Sequence, residues 1–320
     1  MPHAKADDGT RIHYQDKGNA KGEAILFLHE YAGDPRSWAP QVKALKKHYR
    51  CLVPAARGYK PSGIPKADGA YGYDIAAEDA RAVLDAAKVK KAHVVGLSMG
   101  AYTGLMLALT HSRRVLSLVA ASGGSGSHPR RNPKFRLEAA ALADAMLAAG
   151  RIPAGDYARG PTRLQLLRKD KAAWRRFRDE LADHDVTGAA HVLRNIVGGR
   201  PSLYTFEKKL AACRTPVLLM IGDEDDPVID INIWLKRVMA TAGLAVIPKS
   251  GHLLNLEDPD GFNARVRAFH KQVAAGDWPK RDMSSVGFAG VAPAERKEGK
   301  KKPVKKKPAA KKKATAKKKR

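Results

Sequence analysis

The stretch AHVVGLSMGAYTGLMLALT, residues 92–110, decides the fold. Its opening run, AHVVGL, is short, largely apolar and valine-containing, as a strand buried on both faces must be. From Met99 the apolar residues fall at helical spacing. Between the two lies Gly96-Leu97-Ser98-Met99-Gly100, which places a serine where strand gives way to helix. So tight a turn forces the serine backbone into a strained conformation, and flanking glycines let strand and helix approach without a Cβ clash. The hydroxyl then projects beyond the strand end, above a helix N-terminus whose dipole stabilises developing negative charge. A bare G-x-S-x-G also arises by chance, as a glycine-rich turn with an idle serine; the strand before it and the helix after it distinguish the two readings.

Outward from this elbow, short aliphatic runs alternate with amphipathic segments. The runs are AILFLHE (24–30), YRCLVPAA (49–56), AHVVGLS (92–98), VLSLVAAS (115–122), PVLLMIGDED (216–225) and GLAVIPKS (243–250). Helical spacing fills the intervals, from Ser37, Tyr73, Met99, Ile231 and Pro259. This alternation predicts an α/β fold, a mostly parallel sheet with helices on both faces. The Asp-Gly turn in ADDGTRIHYQDKG predicts an antiparallel hairpin at one edge. Residues 123–215 hold several amphipathic patterns, RLQLLRKDKAAWRRFRDELADH among them, and no convincing strand. An all-helical insertion between two parallel strands reads as a cap over the C-terminal edge of the sheet. The expected organisation is a core of residues 1–122 and 216–278, a helical cap of 123–215, a linker of 279–291 and a basic tail of 292–320.

Serine is a poor nucleophile unless an imidazole takes its proton and a carboxylate orients that imidazole. Asp225 ends the strand run 216–225, in a loop it shares with Asp223 and Asp226, and His252 follows the last strand in Ser250-Gly251-His252-Leu253. The chain order Ser, Asp, His across three strand ends is that of the α/β hydrolases, and residues 1–278 resemble that superfamily. The resemblance extends to GHLLNLEDPDGFN, where an acidic residue and a proline lead from the histidine into a final helix, and to AARGYKPSG. It implies that Asp225, the third residue after Gly222, is the triad acid, with Asp226 the rival. It implies an oxyanion hole from the backbone N–H groups of Met99 and Tyr31. It implies a serine hydrolase that cleaves an ester-like or related acyl bond through an acyl-enzyme, with no metal or organic cofactor. The sequence departs from the family at His29-Glu30, where the family has His-Gly, and at Ala55, where it often has Asp. A carboxylate pointing into the oxyanion loop would oppose an oxyanion, so Glu30 is expected to turn away and pair with a cation such as Arg57 or Arg36, the alternative being a somewhat altered chemistry. His29 is read as an orienting loop residue, and Trp174, Phe177 and Leu181 in the cap as packing at helical spacing, with the lining of a substrate entrance as the alternative.

Charge is the other strong feature. The 320 residues carry 59 Lys and Arg against 32 Asp and Glu, a formal charge of +27. Residues 292–320 hold 15 basic and two acidic residues, and the cap 18 basic and nine acidic. The Lys/Ala/Pro composition of the tail offers nothing to offset the entropy of ordering, so the tail is expected to be disordered. Its lysines could hold nucleic acid or another polyanion without sequence reading, through residues 296–320, or simply solubilise the chain. The cap arginines read either as a solvated face or as an attractor for an anionic acyl substrate. No run approaches the roughly 18–20 apolar residues of a membrane span, and the N-terminus lacks a signal-peptide pattern, so a cytoplasmic protein is expected. Cys51 and Cys213 are expected to be reduced thiols. A rival reading makes the chain a decayed hydrolase scaffold that binds nucleic acid through its tail.

Overall fold

The computed structural model describes residues 2–287. The chain through Met283 forms one compact unit, and of the second, which begins at Ser284, only residues up to 287 are described. The tail 292–320, with its expected disorder and polyanion binding, lies outside the described residues. Among the described residues no helix is long and apolar enough to cross a membrane.

Eight strands form one sheet: β1 (His3–Lys5), β2 (Arg11–Gly18), β3 (Ala24–Leu28), β4 (Arg50–Pro54), β5 (Ala92–Leu97), β6 (Val115–Ala121), β7 (Val217–Gly222) and β8 (Ala242–Ile247), in the order β1-β2-β4-β3-β5-β6-β7-β8. The expected hairpin is β1–β2, turning at Asp7–Gly9; β2 also runs antiparallel to β4, and all later pairings are parallel. Every residue of β3, β5 and β7 is buried, which is why these strands read as continuous apolar runs rather than alternating ones.

The helices of the core are α1 (Ala39–Leu45), α2 (Tyr73–Ala86) and α3 (Met99–Thr110) before the insertion, and α10 (Asp226–Val238), α11 (Leu254–Glu257) and α12 (Pro259–Ala275) after it. Between β6 and β7 the chain is helical, with α4 (Asn132–Ala149), α5 (Ala154–Ala158), α6 (Leu164–Lys169), α7 (Lys171–Ala182), α8 (Val186–His191) and α9 (Glu207–Ala211). Two apolar clusters cover the two faces of the sheet. The first joins Ile25, Val53, Val95 and Val119 to α12 and to the cap residues Trp174, Phe177 and Leu181, which are therefore packing residues. The second joins Leu26, Val94, Leu118 and Leu219 to α2, α3 and α10.

Two helical readings are corrected. RLQLLRKDKAAWRRFRDELADH is two helices, because Asp170 leaves the helical region (φ −145°, ψ 93°) and its carboxylate caps the N–H groups of Ala172 and Ala173. The segment expected as a helix from Ile231 starts earlier, at Asp226 with Pro227 in its first turn, and ends at Val238; Ala242 already belongs to β8.

Candidate active site

The strand ends bring the expected residues to the C-terminal edge of the sheet, where open α/β sheets hold their ligands. Ser98 stands between β5 and α3 at φ 54°, ψ −108°, the strained backbone expected of the elbow. Its N–H donates to the Ala121 carbonyl at 2.8 Å, which ties the turn to β6. A Cβ on Gly96 would collide with the backbone of Gly100 and Ala101, and one on Gly100 with the Leu28 and His29 carbonyls, so both glycines are required by close approach. Met99 opens α3, so its N–H has no intrahelical acceptor.

Asp225 follows β7 and is fully buried; His252 follows β8. His252 Nδ1 lies 2.7 Å from Asp225 Oδ2. Of the rival carboxylates, Asp223 accepts from the Ser250 N–H at 3.1 Å, and Asp226 is exposed at the first position of α10. The histidine loop is fixed from two directions. The His252 N–H donates to the Thr162 carbonyl of the cap at 2.8 Å. Glu257 accepts from the N–H groups on either side of the histidine, Gly251 at 2.9 Å and Leu253 at 3.1 Å, and Lys169 pairs with it at 3.2 Å. Glu257 thus holds the loop around His252, and the sequence showed it only as an acidic residue ahead of the proline.

Ser98, Asp225 and His252 line one cavity of about 340 Å³ together with Tyr31, Arg163 and Arg200. The Ser98 hydroxyl is not hydrogen-bonded to the imidazole in this arrangement; Glu30 Oε2 stands 3.8 Å from His252 Nε2. Glu30 is buried and its partner is Arg163 of the cap, Nη2 to Oε2 at 2.9 Å. Glu30 thus pairs with a cation as expected, but the partner is neither Arg57 nor Arg36. Arg57 is taken by Asp79, at 2.6 and 2.7 Å, and by Asp8, and Arg36 is taken by Asp34 and Asp183. Arg163 also lies over the Tyr157 ring, 4.3 Å from its centroid. It thus neutralises the carboxylate that would otherwise oppose an oxyanion.

His29 holds the loop between β3 and α1. Its Nε2 accepts from the Ala56 N–H at 3.0 Å, so its Nδ1–H donates to the Glu30 carbonyl at 2.8 Å. Burial lowers its pKa, which keeps this ring a neutral orienting group. Tyr59 donates to the Tyr31 carbonyl at 2.6 Å and fixes the same loop from the other side. Burial also raises the Tyr31 phenol well above its ordinary range, so Tyr31 carries no charge at neutral pH.

Comparison with known proteins places this architecture in a family. Residues 23–259 match the model of the alpha/beta hydrolase fold, and the chain belongs to that family. It is an α/β-hydrolase enzyme. It is 27% identical over 270 residues to 3-oxoadipate enol-lactonase 1 of Acinetobacter baylyi, covering 83% of this chain and 95% of that one. It is 28% identical over 285 residues to a 2-hydroxy-6-oxononadienedioate/2-hydroxy-6-oxononatrienedioate hydrolase of Burkholderia vietnamiensis, covering 82% and 92%. Among solved structures, the enol-lactonase from Burkholderia xenovorans is similar with a TM-score of 0.67 and 26% identity, covering 84% of this chain and all of that one.

Proposed function

We propose that this chain is a serine hydrolase that cleaves an ester-like acyl bond, lactones included, by way of an acyl-enzyme. Ser98 Oγ attacks the acyl carbonyl while His252 Nε2 takes its proton. Asp225 holds the Nδ1–H tautomer and stabilises the imidazolium as it forms. The Tyr31 and Met99 N–H groups receive the developing oxyanion; each donor of this kind is typically worth about 3 kcal/mol in the transition state, since the charge exists only there. His252 returns the proton to the leaving group, and water, activated by the same imidazole, releases the acid. The Ser–His hydrogen bond forms when substrate fills the cavity, as catalytic contacts commonly tighten on binding.

One observation carries this reading: a serine held at positive φ on a strand-to-helix elbow shares a cavity with a histidine whose far nitrogen is 2.7 Å from a buried carboxylate. The lactonase and dienedioate-hydrolase relatives support hydrolysis of small molecules. The test is turnover of p-nitrophenyl acetate and butyrate and of simple lactones, with pre-steady-state kinetics. A burst of p-nitrophenol equal to the enzyme concentration is expected, and Ser98→Ala abolishes it. Steady hydrolysis by Ser98→Ala at the wild-type rate would overturn the proposal.

A further inference from the structure

The cavity holds a buried cation, Arg200, that no carboxylate among the described residues pairs with. Arg200 lies where the cap returns toward β7, and only 3% of its surface is exposed. Its Nη2 donates to the Ser125 carbonyl at 2.8 Å and to the Ser125 hydroxyl at 3.1 Å, and the guanidinium lies 4.8 Å from the centroid of the Tyr102 ring. Its Nη1 is buried and has no hydrogen-bond partner. Among the described residues no carboxylate pairs with it, and burial lowers its pKa to about 10, which still leaves it charged at neutral pH.

The other charges of the cavity are accounted for. Arg163 is matched by Glu30, and the Asp225 carboxylate is engaged by His252 Nδ1 at 2.7 Å. Glu138 also lines the cavity, but its side chain is exposed and pairs with Lys134 on its own helix. A buried guanidinium without a counter-ion is heavily penalised unless a ligand supplies the charge. Ser125, its neighbour, lines the same cavity, with its hydroxyl 3.1 Å from Nη2. The unpartnered Nη1 carries two N–H donors, and a charge-assisted hydrogen bond from a guanidinium to a carboxylate is among the strong ones.

We propose that Arg200, with the Ser125 hydroxyl, is the recognition site for a carboxylate borne by the substrate away from the bond that is cleaved. The substrate is then a carboxylate-bearing ester or lactone. This rests on the reading of the cavity as the substrate site, and it assigns to one buried residue an anion preference that the sequence reading could attach only to the cap's arginines as a group.

The first test does not depend on turnover. Glutarate and its uncharged diamide are titrated calorimetrically into wild type, Arg200→Met and Arg200→Lys. Glutarate is expected to bind wild type at least tenfold more tightly than the diamide, with that difference lost in Arg200→Met and partly kept in Arg200→Lys, whose charge remains should the methionine variant fail to fold. Glutarate binding no tighter than the diamide in wild type, or a preference unchanged in both variants, overturns the proposal. The second test is the ratio of kcat/KM for mono-p-nitrophenyl glutarate to that for p-nitrophenyl butyrate. The ratio is expected to fall at least thirtyfold in Arg200→Met, whereas a merely structural arginine would lower both rates by one factor and leave the ratio unchanged. Absence of all ester turnover, with glutarate still bound through Arg200, would count against the serine-hydrolase reading and in favour of the anion site.

Discussion

The stability of this fold should depend on pH through a histidine remote from the cavity. His270 of α12 is stacked on His93 of β5, with ring centroids 3.9 Å apart, and Tyr49 meets it edge-on. Neither of its ring nitrogens has a hydrogen-bond partner. Burial, with a smaller contribution from His93, lowers its pKa from 6.5 to about 2. The groups facing the pair are Ser117 and Glu23, both on His93, and Arg267 near Tyr49. The unfolded chain binds a proton here below pH 6.5 that the native chain refuses, so stability is fully present above pH 6.5 and falls as the pH drops toward 2. At one proton and about 1.4 kcal/mol per pH unit, the loss between pH 7.5 and 5.0 comes to about 2 kcal/mol. His270→Phe keeps the stack on His93, removes the titration and should therefore lose about 2 kcal/mol less than wild type over that interval. Urea unfolding at both pH values, followed by fluorescence of the four tryptophans, reads the difference directly. Equal losses in wild type and variant would refute the reasoning, because they would mean that native His270 takes up its proton as readily as the unfolded chain does.

The remaining expectations concern the site and the thiols. Arg163→Met leaves Glu30 buried without its partner and should cost about 3–5 kcal/mol in unfolding free energy, while the double variant with Glu30→Gln recovers most of it; additive losses in the cycle would deny the pairing. Asp225→Asn should lower kcat by roughly three to four orders of magnitude, with ester KM little changed, because the imidazole loses its tautomer control and not its substrate; a drop of only a few-fold would reassign the acid. Burial pushes the Cys51 thiol up to about 12 and raises that of Cys213 as well. Both should therefore resist Ellman's reagent in the native protein at pH 8 and react within minutes in denaturant, as a stoichiometric thiol assay will show.

Much of the fold could be read because its signals are local. A strand covered on both faces must be a short continuous apolar run, and the elbow serine requires its glycines within two residues. The chain order of Ser98, Asp225 and His252 follows from where strands end, which those same runs mark. The partner of Glu30 could not be read in this way. Arg57 and Arg36 were near in sequence, but each is claimed by nearer carboxylates, Asp79 and Asp34, and the guanidinium that reaches Glu30 comes from the cap, 133 residues away. Arg200 looked like one more of the cap's many basic residues; only the packing of the return segment over Tyr102 separates a buried, unpaired arginine from a solvated one. The helix break at Asp170 was a capping signal set inside a strong amphipathic pattern, which the periodicity of the surrounding residues masked.

The central claim is that Ser98 is an activated nucleophile. The most direct measurement is reaction of the purified protein with a fluorophosphonate at neutral pH, followed by mass spectrometry of the digested adduct. One phosphonyl group per chain is expected, on the peptide containing Gly96-Leu97-Ser98-Met99-Gly100 and on the Ser98 oxygen, with labelling slowed strongly in His252→Ala and absent in Ser98→Ala. An unmodified Ser98, or labelling that persists in Ser98→Ala, would contradict the account.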